Sequence, residues 1–142
     1  MNEVTHQATC VAIDGRAILI EGEPGMGKTS LALALIDRGA ALVGDDGVLL
    51  EQRGGRLWAL PHPNTCGLIE VRNVGIAAMP CGEAPVALLI MLDHAAPRHV
   101  EGPTVTQRAG IALPSLTLWP DSPVLAIRAE MALSIHGLPS HG

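Results

Sequence analysis

Residues 22–29 read Gly-Glu-Pro-Gly-Met-Gly-Lys-Thr, a complete G-x-x-x-x-G-K-[ST] run. Ahead of it, Ala17 to Ile20 is continuously apolar. Behind it, Leu31, Ala34, Leu35 and Arg38 fall at helical spacing, and Gly39 supplies a stop. This order constrains the fold more than any other feature. A buried strand has to end, turn through glycines, and open a helix whose first backbone N–H groups point at a ligand. Glycine permits positive φ and close backbone approach to that ligand. Lys28 is the only lysine beside eight arginines. A compact ammonium reaches along phosphate oxygens where a planar guanidinium does not fit. The motif in this context predicts a nucleotide phosphate site built from Gly22, Glu23, Pro24, Gly25, Met26, Gly27, Lys28, Thr29 and Ser30, with the Thr29 hydroxyl offered to Mg²⁺.

The remaining sequence surrounds that unit mainly with strands. Asp14-Gly15 joins "CVAID" to "GRAILIEG" as a hairpin, and "RGGR" joins "GVLLEQ" to "RLWALP" in the same way. "ALVGDD" is a short strand closing on two aspartates. "GLIEVRNVGIAAMP" is strand-like with a turn near Asn73, and "APVALLIMLD" reads as the most buried strand. Two short β-like runs lie within the Pro-rich stretch 94–123. A final helix is predicted over "SPVLAIRAEMALSIHG", capped by Ser122, with Pro123 at its first position and Gly137 at its end. No repeat or linker divides the 142 residues, so one α/β domain over 1–142 is expected.

Composition excludes several classes of function. With a net charge of −5 and no basic cluster, the chain lacks the positive stripe that nucleic acid requires. No apolar run reaches the roughly 18–20 residues of a membrane span. The N-terminus has no hydrophobic signal region. Three cysteines, Cys10, Cys66 and Cys81, are odd in number and lack metal spacing. They read as reduced thiols in a cytoplasmic protein. His62, between prolines, reads as a loop residue. His94, His99, His136 and His141 show no ligand spacing.

Asp45-Asp46 closes the strand after the phosphate-loop helix, where open α/β sheets carry ligand-contacting groups. One such carboxylate can orient Mg²⁺ and another can accept a proton from an attacking hydroxyl. "GDDG" is also ordinary turn chemistry. Glu70 and Arg72, at period two, share one face of a strand, and on spacing alone they form a solvated ion pair.

Taken together, His6, the hairpin, the phosphate loop, "LALALIDRG", the double aspartate and "EVRNVGI" resemble the catalytic, C-terminal domain of HPr kinase/phosphorylase. The likeness covers residues 6–92 well and the remainder loosely. It implies a strand-rich P-loop kinase domain related to phosphoenolpyruvate carboxykinase, with a P-loop helix and a C-terminal helix, in a short form without an N-terminal domain. It implies ATP- and Mg²⁺-dependent phosphorylation of a serine in HPr, the phosphocarrier protein of the bacterial sugar phosphotransferase system, and it admits a homo-oligomer.

By matching position, Gly22 to Thr29 would hold the triphosphate, and Thr29 with Glu70 would serve Mg²⁺. Asp45 would be the general base, supported by Asp46, with Arg72 stabilising phosphoryl charge. His6 matches the family's catalytic-region histidine, one residue further from the loop than the family spacing. Thr29 stands where serine is usual, and Asn73 replaces a glycine. Longer members carry a basic Pro-Gly-Arg-Asn-type loop where this chain reads "LWPDSPVLAIRAE", which argues against phosphorolysis. Two other readings are a metabolite kinase, with Arg98 and Arg108 on a lid, and an ATP-binding regulatory module without transfer.

Overall fold

The two most apolar runs become the central strands of the computed structural model, which describes residues 3–140. In chain order the elements are β1 (Glu3–His6), β2 (Thr9–Ile13), β3 (Arg16–Glu21), α1 (Lys28–Asp37), β4 (Ala41–Gly44), β5 (Val48–Arg53) and β6 (Arg56–Pro61). Then follow β7 (Leu68–Val71), β8 (Gly75–Ala78), β9 (Ala84–Leu92), β10 (Thr104–Arg108), β11 (Ile111–Leu118) and α2 (Leu125–His136). Strand-rich α/β architecture with a phosphate-loop helix and a C-terminal helix is therefore observed as expected.

One sheet runs β1-β5-β6-β9-β3-β2-β4, and β11, hairpinned to β10, also pairs with β9. β9 lies parallel to both β3 and β11. β4 shares their direction, because β2 is antiparallel to both β3 and β4. The carboxyl ends of β4, β3, β9 and β11 thus open on one side of the molecule, where α/β sheets bind ligands. β7 and β8 form a separate two-stranded sheet at that side.

Burial on both faces explains why β3 and β9 are continuously apolar. Ile18, Ile20, Leu88 and Ile90 pack with Leu31 and Leu35 of α1 and Ala129 and Leu133 of α2. Ala17, Leu19, Val86 and Leu89 pack on the other side with Val48, Leu50, Leu57 and Ala59. The sheet therefore covers one of its own faces while the helices cover the other. No described helix is long and apolar enough to cross a membrane.

Both predicted hairpins form with positive φ at both turn residues, Asp14 (50°) with Gly15 (79°), and Gly54 (57°) with Gly55 (80°). Four expectations change. β1 was not legible from sequence, and it pairs antiparallel with β5. α2 begins at Leu125 rather than Pro123, because the Leu125 N–H bonds the Ser122 carbonyl and the Val124 N–H bonds Ser122 Oγ, making a turn first. Arg72 leaves the strand face of Glu70, since β7 ends at Val71 and Asn73 turns the chain at φ 68°. Finally, Cys66 and Cys81 are joined as a disulfide, their Cα atoms 6.0 Å apart, and only Cys10 is free. His141 lies outside the described residues.

Candidate active site

Strand β3 delivers the chain to the phosphate loop at Gly22, where an added Cβ would stand 2.9 Å from the Leu92 carbonyl at the end of β9. Only glycine lets the loop pass there. Gly25 and Gly27 then adopt φ of 88° and 91°, the left-handed conformation that turns the loop into α1. α1 has no side-chain cap and no acidic residue in its first turn. Its leading N–H groups are therefore available to an anion, reinforced by the helix dipole. Lys28 Nζ lies over the loop, donating to the Gly22 carbonyl at 2.6 Å and the Glu23 carbonyl at 3.5 Å.

The double aspartate is both a tight turn and part of the site. An added Cβ at Gly44 would meet the Gly47 carbonyl at 2.5 Å, so the turn is closed on glycine. Asp45 Oδ1 accepts from Thr29 Oγ1 at 2.7 Å and from Thr9 Oγ1 at 3.3 Å. Its Oδ2 accepts from the Glu70 N–H at 3.3 Å. Thr9, wholly buried, also accepts the Asp46 N–H at 3.2 Å, so one hydroxyl fixes both aspartates. Asp46 is exposed at φ 61°. The family resemblance implies Asp45 as base with Asp46 in support. Asp45 accepts from Thr29, Thr9 and the Glu70 N–H, while the exposed Asp46 lines the cleft.

These residues line an open cleft of about 1460 Å³. Glu70 and Arg72 reach it from the β7–β8 hairpin, and both are exposed. Lys28 and Arg72 are the only Lys or Arg side chains lining it, against Glu23, Asp45, Asp46, Glu70, Asp93 and Asp121 among its carboxylates. A polyphosphate entering such a cleft needs a cation with it. Among the described residues no three His, Cys, Asp or Glu side chains converge as a dedicated metal cage. Thr29, Asp45 and Glu70 are hard oxygen donors, a set that suits Mg²⁺, which takes one or two carboxylates plus phosphate and water.

His6 is not among the lining residues. Its Nε2 is 2.6 Å from Glu21 Oε2, and Arg108, brought from β10, holds the same carboxylate through Nε at 2.9 Å and Nη2 at 2.7 Å. Glu21 does line the cleft, one residue before the loop. Neither Glu21 nor Thr9 was singled out from sequence. The only available signals were a carboxylate ending an apolar strand and a threonine opening one. At the opposite rim His94 pairs with Asp121 at 2.7 Å and meets Trp119 edge-on. Both partners are more than half exposed, so the pair contributes little.

Burial pushes the Glu21 carboxyl up, but the hydrogen bonds and charges of Arg108 and His6 outweigh it and bring it from 4.5 to about 2. With a depressed folded value, the stabilisation is complete above 4.5 and is lost as pH falls toward 2, because the unfolded chain takes up the proton first. Urea denaturation of the protein and Glu21→Gln between pH 6 and 2.5 should show the stability gap narrowing through that window. A gap unchanged with pH would contradict the ion pair.

Comparison with known proteins gives a consistent result. The family model described as HPr Serine kinase C-terminal domain matches residues 1–80. The chain is similar to the HPr kinase/phosphorylase of Clostridium tetani, 44% identical over 70 residues, 49% of this chain and 23% of the relative. That of Mycoplasmopsis pulmonis is 38% identical over 74 residues, 52% of this chain and 24% of the relative. That of Streptococcus thermophilus is 38% identical over 93 residues, 59% of this chain and 30% of the relative. The matches thus span under a third of each of these curated relatives. Among solved structures, the Hpr(Ser) kinase/phosphatase from Coxiella burnetii superposes with a TM-score of 0.81 at 28% identity, covering 92% of this chain and 94% of that one.

Proposed function

The chain belongs to the HPr serine kinase C-terminal domain family, and from that premise we propose that it is an ATP- and Mg²⁺-dependent kinase acting on a serine of an HPr-type phosphocarrier protein. The observation that carries this reading is the bond network around Asp45. It joins the phosphate-loop hydroxyl of Thr29 to the hairpin bearing Glu70 and leaves Asp46 open beside them.

In this reading the N–H groups from Gly25 to Thr29 bind the β-phosphate, with Gly22, Glu23, Pro24, Met26 and Ser30 shaping the loop. Lys28 exchanges neutral carbonyl acceptors for phosphate oxygens, a stronger charge-assisted pairing. Thr29 and Glu70 would hold Mg²⁺, with Asp45 orienting the Thr29 hydroxyl. The ion supplies charge neutralisation at the transferring phosphoryl group.

Asp46, rather than Asp45, takes the proton from the attacking serine hydroxyl, because its carboxylate is not already accepting from three donors. Arg72, at the exposed turn of the same hairpin, balances the transferring charge. His6 acts through Glu21 as a positioning residue and does not touch the substrate directly. Forward transfer alone is proposed. The segment Pro120-Asp121-Ser122-Pro123 lines the cleft with an acidic group, in the stretch that lacks the basic loop of longer members.

The test is an intact-mass assay of HPr incubated with the protein, Mg²⁺ and ATP. One phosphate gained, mapped to serine, is the expected result. ATP bound without any gain on HPr would move the assignment to a regulatory nucleotide-binding module.

A further inference from the structure

The β7–β8 hairpin lies wholly between Cys66 and Cys81, whose disulfide spans 15 positions. We propose that this pair is a reversible thiol–disulfide site that sets how firmly Glu70 is held against Asp45, and so makes Mg·ATP binding depend on redox state. The binding half of this inference rests on the role given to Glu70 above.

Three observations carry it. The first is how weakly the hairpin holds itself. Its ladder has four residue pairs, and Ile69 is its only buried side chain, while Val74 and Ile76 are 81% and 70% exposed. An isolated two-stranded hairpin of this size is marginal in water.

The second is what the disulfide connects. Cys81 bridges Leu42 of β4, and the next residue, Gly82, donates its N–H to the Leu42 carbonyl at 3.1 Å. β4 is the strand that leads into Asp45. At the other end Cys66 precedes Gly67, whose carbonyl takes the Met79 N–H at 2.8 Å and whose φ of 77° brings an added Cβ to 2.4 Å from the Met79 carbonyl. The bond therefore ties the Cys66 end of the hairpin to Cys81, which sits against the strand leading into Asp45. Glu70 reaches Asp45 through one N–H at 3.3 Å.

The third is that the chemistry has one path. Cys10 is wholly buried, and burial raises its thiol, so it does not compete. Cys66 is exposed and Cys81 partly so.

In the oxidising direction the Cys66 thiolate attacks a glutathione-type disulfide, forming a mixed disulfide and releasing one small thiolate. The Cys81 thiolate then displaces the second. Two electrons pass to the oxidant, and the two protons leave with two molecules of small thiol. A dithiol reverses both steps.

The experiment compares the protein equilibrated with oxidised glutathione, the protein reduced with dithiothreitol, and Cys66→Ser/Cys81→Ser in both buffers. Thiol titration after unfolding should give one thiol in the oxidised protein and three in the reduced. Amide exchange at Ile69, Glu70 and Ile76 should rise about tenfold on reduction, and Mg·ATP affinity should fall about fivefold. The double variant should match the reduced protein in either buffer. Three thiols after oxidation, or exchange rates alike in the two states, would overturn the inference. Redox-dependent exchange with equal Mg·ATP affinity would overturn its binding half. Redox-dependent exchange with no Mg·ATP binding in either state would overturn the proposed function while leaving the thiol-controlled hairpin standing.

Discussion

Lys28→Ala is expected to reduce phosphoryl transfer by about 10³-fold, within the range lost when one preorganised charge donor is removed from a transition state. The fold should be nearly indifferent. The ammonium contacts only the Gly22 and Glu23 carbonyls, so no ion pair is broken and no cavity is created in the core. Lys28→Arg should fail almost as badly. Its guanidinium carries the charge but not the compact shape that fits between the loop and a phosphate. Steady-state rates beside a thermal melt separate these effects. A full melt with lost activity is the expected pair of results. Activity retained by the arginine variant would show that charge alone suffices and that shape plays no part.

The aspartates give the second large effect, and they should differ in kind. Asp46→Asn removes the open carboxylate and should lower kcat by about 10²- to 10⁴-fold, the contribution of a positioned general base. Its dependence on Mg²⁺ should stay as it was. Asp45→Asn instead weakens the charged acceptor for Thr29 and for the Glu70 N–H. The Mg²⁺ concentration for half-maximal rate should therefore rise about tenfold or more, and excess Mg²⁺ should recover part of the rate. Magnesium titrations of initial rate for both variants decide the matter. Rescue of Asp46→Asn by Mg²⁺, with none for Asp45→Asn, would return the base to Asp45.

Sequence disclosed the phosphate loop because its constraints are local. Three glycines, one lysine, a strand and a helix sit within consecutive residues, and each is needed for the same geometry. The hairpin turns were legible for the same reason. What sequence missed depends on distant pairings. Thr9 and Asp45 are 36 positions apart, and Arg108 and Glu21 are 87 apart. Glu21 alone is an ordinary polar end to an apolar strand, and only the β10–β11 hairpin shows what faces it.

The cysteine count misled because it treated three residues as one population. Burial withdraws Cys10 and leaves a pair. Arg72 misled through strand periodicity, which stops applying once Asn73 takes a left-handed φ. Composition and spacing do not tell Asp45 from Asp46, whose surroundings differ in which carboxylate Thr9 and Thr29 occupy.

The most direct measurement of the central claim is a single-turnover experiment with γ-labelled ATP, the protein in excess over ATP, and HPr present. The label should pass from ATP to a serine of HPr, with little released as inorganic phosphate, and the passage should be lost in Asp46→Asn. Label that stays in ATP, or that appears as inorganic phosphate while HPr remains unmodified, would contradict the claim that this cleft transfers phosphoryl groups to a protein serine.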